Sequence, residues 1–400
     1  MKYSRRLRSL REKLKLFSRT IASWNTLRHR VRDLQRKLKI RDEQHANQIL
    51  HHYPMRLSGK VDVVSSVASV DDRKLVSRVV AAYRKAVKTP VGATDSIWLH
   101  QFARAKRDTQ QLLDSEDHEA IARSLRNPSS SMLFFGFDLI QSKDVPRNTV
   151  PWWPYWQHQL TYDSLLQTMR AIGIGRIENP EAGITFDEAP DVESILEKLD
   201  AAFGFRIEFP NVFVGEIGLV TSRGIANYRA IQALYQAWRI KQMIRDVREP
   251  HVLEIGAGLG RTAYFAMKMG VRSYTIIDLP LTGVAQGYFL GRVLGEESVS
   301  LWDEKSERAL LHILPPVAFE QGNARFDLII NVDSITEMAE STAREYFEMA
   351  RKRTSRFLSI NHEHNTFTMA DIYRDREDIR VWRSPYWLRR GYVEELITFL

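Results

Sequence analysis

Glu254 closes a short apolar run, His251-Val-Leu-Glu-Ile255, and is followed at once by Gly256, Gly258, Gly260 and the start of a helix. Glycines in such a turn let the backbone approach a ligand that any side chain would keep away. A nucleoside-triphosphate loop would need Gly-Lys-Ser/Thr behind its spacers, and that is missing. A dinucleotide fingerprint would place its third glycine at position 261, which is arginine. A second run, Tyr274-Thr-Ile-Ile-Asp278, ends in a carboxylate 20 residues after Gly258. An ionised carboxylate accepts two hydroxyl hydrogens at once, which suits a diol better than a phosphate.

Two further polar clusters follow apolar runs. Phe326 to Asn331 leads into Asp333-Ser-Ile-Thr-Glu337-Met338, and Phe357 to Ile360 leads into Asn361-His362-Glu363-His364-Asn365. In an open α/β sheet ligands bind beyond the carboxyl ends of the strands, so both clusters are expected on the rim of one site. They hold five groups able to take a proton: His362, the first choice as general base, then Asp333, and His364, Glu337 and Glu363. His362 and His364 share a face if the strand continues through them. Two histidines and carboxylates could also hold a divalent ion, but no dedicated ligand spacing is present and no metal is expected.

Glu254 followed by Gly-x-Gly-x-Gly resembles the first motif of class I S-adenosylmethionine-dependent methyltransferases. The resemblance implies S-adenosyl-L-methionine as cofactor, with Glu254 directed at its ammonium end and Gly256, Gly258 and Gly260 against its methionine part. It further implies Asp278 on the ribose hydroxyls and Asp333 on the cofactor's rim. More narrowly, Gly215 to Gly224, Tyr228 to Arg239, Leu253 to Gly260, Ile277 to Pro280, Asp333 to Met338 and Ile360 to Glu363 resemble a bacterial family of sugar O-methyltransferases. That resemblance spans about residues 90–400 and implies a saccharide acceptor met in antibiotic-glycoside or surface-polysaccharide biosynthesis. Methylation of a non-sugar acceptor, and a non-catalytic scaffold of the same fold, are the competing readings.

The elements that must position these residues fall into three stretches. Residues 250–400 alternate strands and helices, an α/β pattern expected to form the Rossmann-like methyltransferase sheet. Residues 51–249 are expected to be a mainly helical acceptor or lid region, with helices over Lys74–Lys88, Ile97–Leu113, Val192–Phe203 and Ile225–Arg245. Between the last two lie a short extended segment, Phe205–Phe209, and a Gly-rich turn region, Val214–Gly224. The aromatic run Val150-Pro-Trp-Trp-Pro-Tyr-Trp156 offers flat faces to sugar rings or staples a loop. Arg223 meets an anionic acceptor or pairs with Glu216.

Residues 1–50 are a basic amphipathic arm. Its apolar residues recur at Leu7, Leu10, Leu14, Phe17, Ile21, Trp24, Leu27, Val31, Leu34 and Leu38, at helical spacing. Residues 1–41 hold 15 Lys/Arg against two acidic residues; their +13 exceeds the chain's +9 and leaves −4 for the other 359 residues. The basic character therefore belongs to the arm, and nucleic acid is not expected as partner. Contact with an acidic membrane surface through residues 1–41, packing on its own domain or a sister subunit, and a transit peptide are the readings open to it. With no cysteine, thiolate chemistry and disulfides are excluded. No segment approaches the ~18 apolar residues of a membrane span, and a cytoplasmic protein, peripheral at the inner membrane face through its arm, is expected.

Overall fold

The computed structural model describes residues 26–39, 59–68, 70–89, 106–128, 133–134, 153–177, 190–306 and 308–400. Residues 1–54 and 55–400 are two compact units. In the first, residues 26–39 form helix α1, which exposes Leu27, Val31, Leu34 and Leu38. The arm from Leu7 to Trp24, residues 97–105 of an expected helix, and residues 150–152 of the aromatic run lie outside the described residues.

The second unit begins with β1 (Val61–Val63), α2 (Arg73–Ala86), α3 (Arg107–Asp114), α4 (His118–Arg126), α5 (Trp153–Ala171) and α6 (Val192–Phe203). The last matches its expected bounds, because Asp191 caps its first turn through the amides of Glu193 and Ser194 and Gly204 ends it in the left-handed region. The described residues of the aromatic run, 153–156, open α5. Phe205–Phe209 forms no strand, whereas the Gly-rich region does: β2 (Ile217–Thr221) and β3 (Gly224–Ala226) make a hairpin that β1 extends to three strands. A Cβ on Gly218 would lie 2.0 Å from the Ala226 carbonyl oxygen, so that glycine serves close strand approach, not a turn. α7 (Tyr228–Met243) follows, capped by Asn227.

From here strands and helices alternate: β4 (His251–Ile255), α8 (Arg261–Lys268), β5 (Ser273–Ile277), α9 (Pro280–Leu294), β6 (Val299–Ser300), β7 (Leu311–Leu314), α10 (Pro316–Gln321), β8 (Leu328–Val332), α11 (Glu340–Arg353), β9 (Arg356–His362), α12 (Met369–Tyr373), β10 (Ile379–Pro385) and β11 (Tyr392–Phe399). They build one eight-stranded sheet in the order β10-β11-β9-β8-β4-β5-β7-β6. All neighbours are parallel except β11, which runs antiparallel to both β9 and β10. The parallel strands are almost continuously apolar because helices cover both their faces. The unit is thus α/β with a Rossmann-like sheet, preceded by a largely helical region.

One face of the sheet is buried by a cluster running from Leu75 and Val79 through Ile231, Leu234 and Phe289 to Tyr392; the other is sealed by Phe347, Phe357 and Ile329. The first cluster joins residues on both sides of position 250, and one of its seams is between α2 and α9. Gly287 and Gly291 form a groove on α9: an added Cβ would sit 3.1 Å from Val79 and 2.6 Å from Leu75, respectively. The missing side chains let α2 seat directly on α9.

Candidate active site

The strand order reverses beside β4, and the glycine loop leaves the carboxyl end of that strand, where an open α/β sheet holds its ligands. Gly256, Gly258 and Gly260 all have positive φ (70°, 57° and 87°). A Cβ on Gly256 would come 2.2 Å from Ser334 Oγ, so the loop can pass under residue 334 only as glycine. Loop and strand ends line a pocket of about 190 Å³ that includes Glu254, Gly256, Asp278, Asp333, Glu337 and Tyr392.

Glu254 is buried, and its Oε2 accepts a hydrogen bond from Tyr274 Oη on β5 at 2.9 Å. Burial pushes its carboxyl up to about 8; the Tyr274 bond acts against this shift. A carboxyl in that state is suited to a cationic group that would restore its charge. Asp278 follows β5 directly. Its Oδ2 accepts from Gln286 Nε2 at 2.6 Å and its Oδ1 from the Leu279 amide at 2.8 Å. Burial raises it to about 6, opposed by those bonds, by the Ala257 amide and by the charge of Lys106. Gln286 also donates to the Gly258 carbonyl at 2.9 Å and so ties the loop to Asp278. Sequence reasoning missed it; its one signal is an amide amid the small and apolar residues of α9.

Asp333 follows β8 and is one of two non-glycine residues with positive φ among those described, at 54°. Its Oδ2 accepts from Tyr392 Oη at 2.7 Å and from Arg389 Nη1 at 3.2 Å, both supplied by β11 and the turn before it. Its Oδ1 is buried with no hydrogen-bond partner; His362 Nε2 is the near group, at 3.6 Å. Beneath the cluster Asn331 donates to the Ile255 carbonyl at 2.9 Å and accepts from Asn361 at 2.9 Å, an arrangement of buried amides that sequence reasoning did not single out.

The structure brings Asp333, Glu337 and His362 together: one donor atom from each lies within 4.8 Å of the others, a spacing that also suits a metal ion. His364 and Glu363 do not join them. β9 ends at His362, so the expected alternation stops there; His364 is exposed, and Glu363 pairs with Arg383. The backbone N–H of His364 donates to His362 Nδ1 at 3.3 Å, which places the hydrogen of a neutral ring on Nε2, facing Asp333. With that hydrogen in place Nε2 is a donor, and the vacant acceptor in the cluster is Asp333 Oδ1. Arg223 pairs with neither an open site nor Glu216: it is held by Asp200 at 2.6 Å, and Glu216 binds Arg261 at 3.1 Å.

No family model matches the chain, and neither does any curated protein. Solved structures that it resembles include the glycopeptide N-methyltransferase MtfA complexed with S-adenosyl-L-methionine, 16% identical over 45% of this chain and 100% of that one, TM-score 0.33. They also include the methyltransferase domain of bacterial CtHen1, 10% identical over 41% of this chain and 97% of that one, TM-score 0.31. A third is the ribosomal protein L11 methylase from Lactobacillus delbrueckii subsp. bulgaricus, 12% identical over 44% and 80%, TM-score 0.30. The strand order and the pocket are independent of these likenesses.

Proposed function

We propose that the protein is an S-adenosyl-L-methionine-dependent O-methyltransferase whose acceptor is a saccharide hydroxyl. The observation that carries this reading is the vacant, buried Oδ1 of Asp333 on the rim of a glycine-loop pocket: an acceptor oxygen held ready for a group that brings its own hydrogen. The residues of the pocket fit the cofactor. Glu254 takes its ammonium, the loop Gly256–Gly260 lies against its methionine part, and Asp278 takes the ribose hydroxyls. When bound, it supplies a methyl carbon made electrophilic by a sulfonium. The saccharide rests on the motif resemblance carried by Gly215 to Gly224, Asp333 to Met338 and Ile360 to Glu363.

The chain has three tasks in such a transfer: to align the acceptor oxygen with the methyl group, to keep water out, and to accept a proton as the new bond forms. Asp333 Oδ1 accepts the hydroxyl hydrogen. Tyr392 and Arg389 hold the other oxygen and keep the carboxylate from rotating. His362 Nε2–H donates to the oxygen neighbouring the reacting one, which gives it a positioning role in place of the base role its type suggests.

Calorimetric titration of S-adenosyl-L-methionine and S-adenosylhomocysteine tests the cofactor half without knowledge of the acceptor. One saturable site, weakened tenfold or more in Asp278→Ala, is expected; no binding by folded wild type refutes it. Transfer of labelled methyl to glycosides and nucleotide sugars, with the methylated atom located by mass spectrometry, tests the acceptor. A methyl group on nitrogen, or transfer only to non-sugar hydroxyls, refutes the saccharide.

A further inference from the structure

Helix α1 poses a question independent of the catalytic unit. Its four aliphatic side chains, Leu27, Val31, Leu34 and Leu38, are 47–58% exposed and recur at steps of four, three and four. At about 100° per residue they fall within an arc of roughly 60°. Residues 26–39 also carry six Lys/Arg and a single acid, Asp33, whose carboxylate is taken by Lys37 at 2.8 Å one turn on. Placed on the same wheel, Arg30 and Lys37 border one side of the apolar stripe, and Arg28 and Lys39 the other. An apolar stripe bordered on both sides by long basic side chains matches a surface that is apolar in its depth and anionic at the level of those charges.

We propose that α1 lies in the interface of an acidic lipid bilayer, with Leu27, Val31, Leu34 and Leu38 turned into the acyl boundary and the flanking Arg and Lys among the headgroups. Charge complementarity selects this occupant. Near an anionic leaflet each basic residue contributes about 1 kcal/mol, whereas a second copy of α1 would bring six more like charges to the same seam. The helix lies on the membrane and does not cross it: no described helix is long and apolar enough to span one. The rest of residues 55–400 carries no comparable excess of positive charge, so attraction is confined to the arm.

The test is co-sedimentation of the full chain with vesicles of phosphatidylcholine alone and of phosphatidylcholine with phosphatidylglycerol. Binding to the anionic vesicles at least tenfold tighter than to the neutral ones is expected, falling as salt rises. Leu34→Glu with Leu38→Glu should abolish it and leave titration with S-adenosylhomocysteine unchanged, which shows that the catalytic unit is folded. Equal affinity for both vesicles, no binding to either, or binding that survives the double substitution overturns the proposal. A dimer in light scattering that the double substitution dissociates, with no vesicle binding, assigns the seam to a second copy and overturns it as well.

Discussion

Replacing Asp333 with asparagine preserves shape and the bonds to Tyr392 and Arg389 while removing the proton-accepting oxygen. Turnover should fall by roughly 10²- to 10⁴-fold, the usual contribution of a general base, with cofactor affinity little changed; steady-state kinetics beside calorimetry separates the two. At His362 the contrast between variants is more telling than either alone. Glutamine can present an N–H toward the acceptor and should retain most activity, whereas alanine should raise KM; equal loss in both would restore the imidazole as base. Glu254 and Asp278 set the pH dependence. Both carboxyls are raised by burial, to about 8 and about 6, and the proposed cofactor contacts call for both in ionised form. Affinity should therefore climb through pH 6 and level off above 8, with protons released on binding near neutrality. The same shifts act on the free protein with a fixed sign: a raised carboxyl stabilises the fold below its ordinary range, and that contribution is lost as pH rises through 6 and then 8. Thermal melts should show the ligand-free protein weakening over that window, and Glu254→Gln should remove the upper part of the fall.

The strand-loop-helix unit around Gly256 is the element whose geometry leaves least room. Gly256→Ala would press a methyl group against Ser334, whose hydroxyl donates to the Ile255 carbonyl and accepts from Asn331. Overpacking of this kind typically costs 1–3 kcal/mol, so a melting temperature lowered by several degrees and a markedly weaker cofactor complex are expected by calorimetry. This unit was legible in the sequence because its rule is local: an apolar run, glycines and a helix start are readable without knowing their neighbours. Asp278 was legible for the same reason, and α6 because its Asp191 and Gly204 caps stand in the sequence at helix distance. The rest was set by distant partners. Gln286 became a site residue only when α9 folded against the loop it tethers. Gly218 read as a turn residue, although its lack of a side chain serves the neighbouring strand. His362 was picked by residue type, and the bond its Nδ1 accepts from the His364 N–H depends on a backbone turn that the sequence does not display. Tyr392 and Arg389 are 59 and 56 residues from the carboxylate they hold, brought there by β11 running antiparallel beside β9.

The whole molecule divides by charge and by contact in different places. All of its positive excess lies in the first 41 residues, the remainder being slightly acidic, whereas one hydrophobic cluster joins the early helices to the sheet. Residues 55–400 should accordingly unfold as one cooperative transition, seen as coincident loss of helix and of aromatic environment in circular dichroism. The seat of α2 on α9 extends that coupling into time. Through Gln286, α9 holds the aspartate assigned to the ribose, and through Gly287 and Gly291 it holds α2. Any opening that frees α2 must loosen the helix that a bound cofactor would brace. Amide hydrogens of α2 should then exchange with deuterium more slowly once S-adenosylhomocysteine is bound, and an Asp278→Ala protein should lose that protection. In that sense the early helix acts as a clock for occupancy of the pocket: its breathing rate reports whether the site behind it is filled.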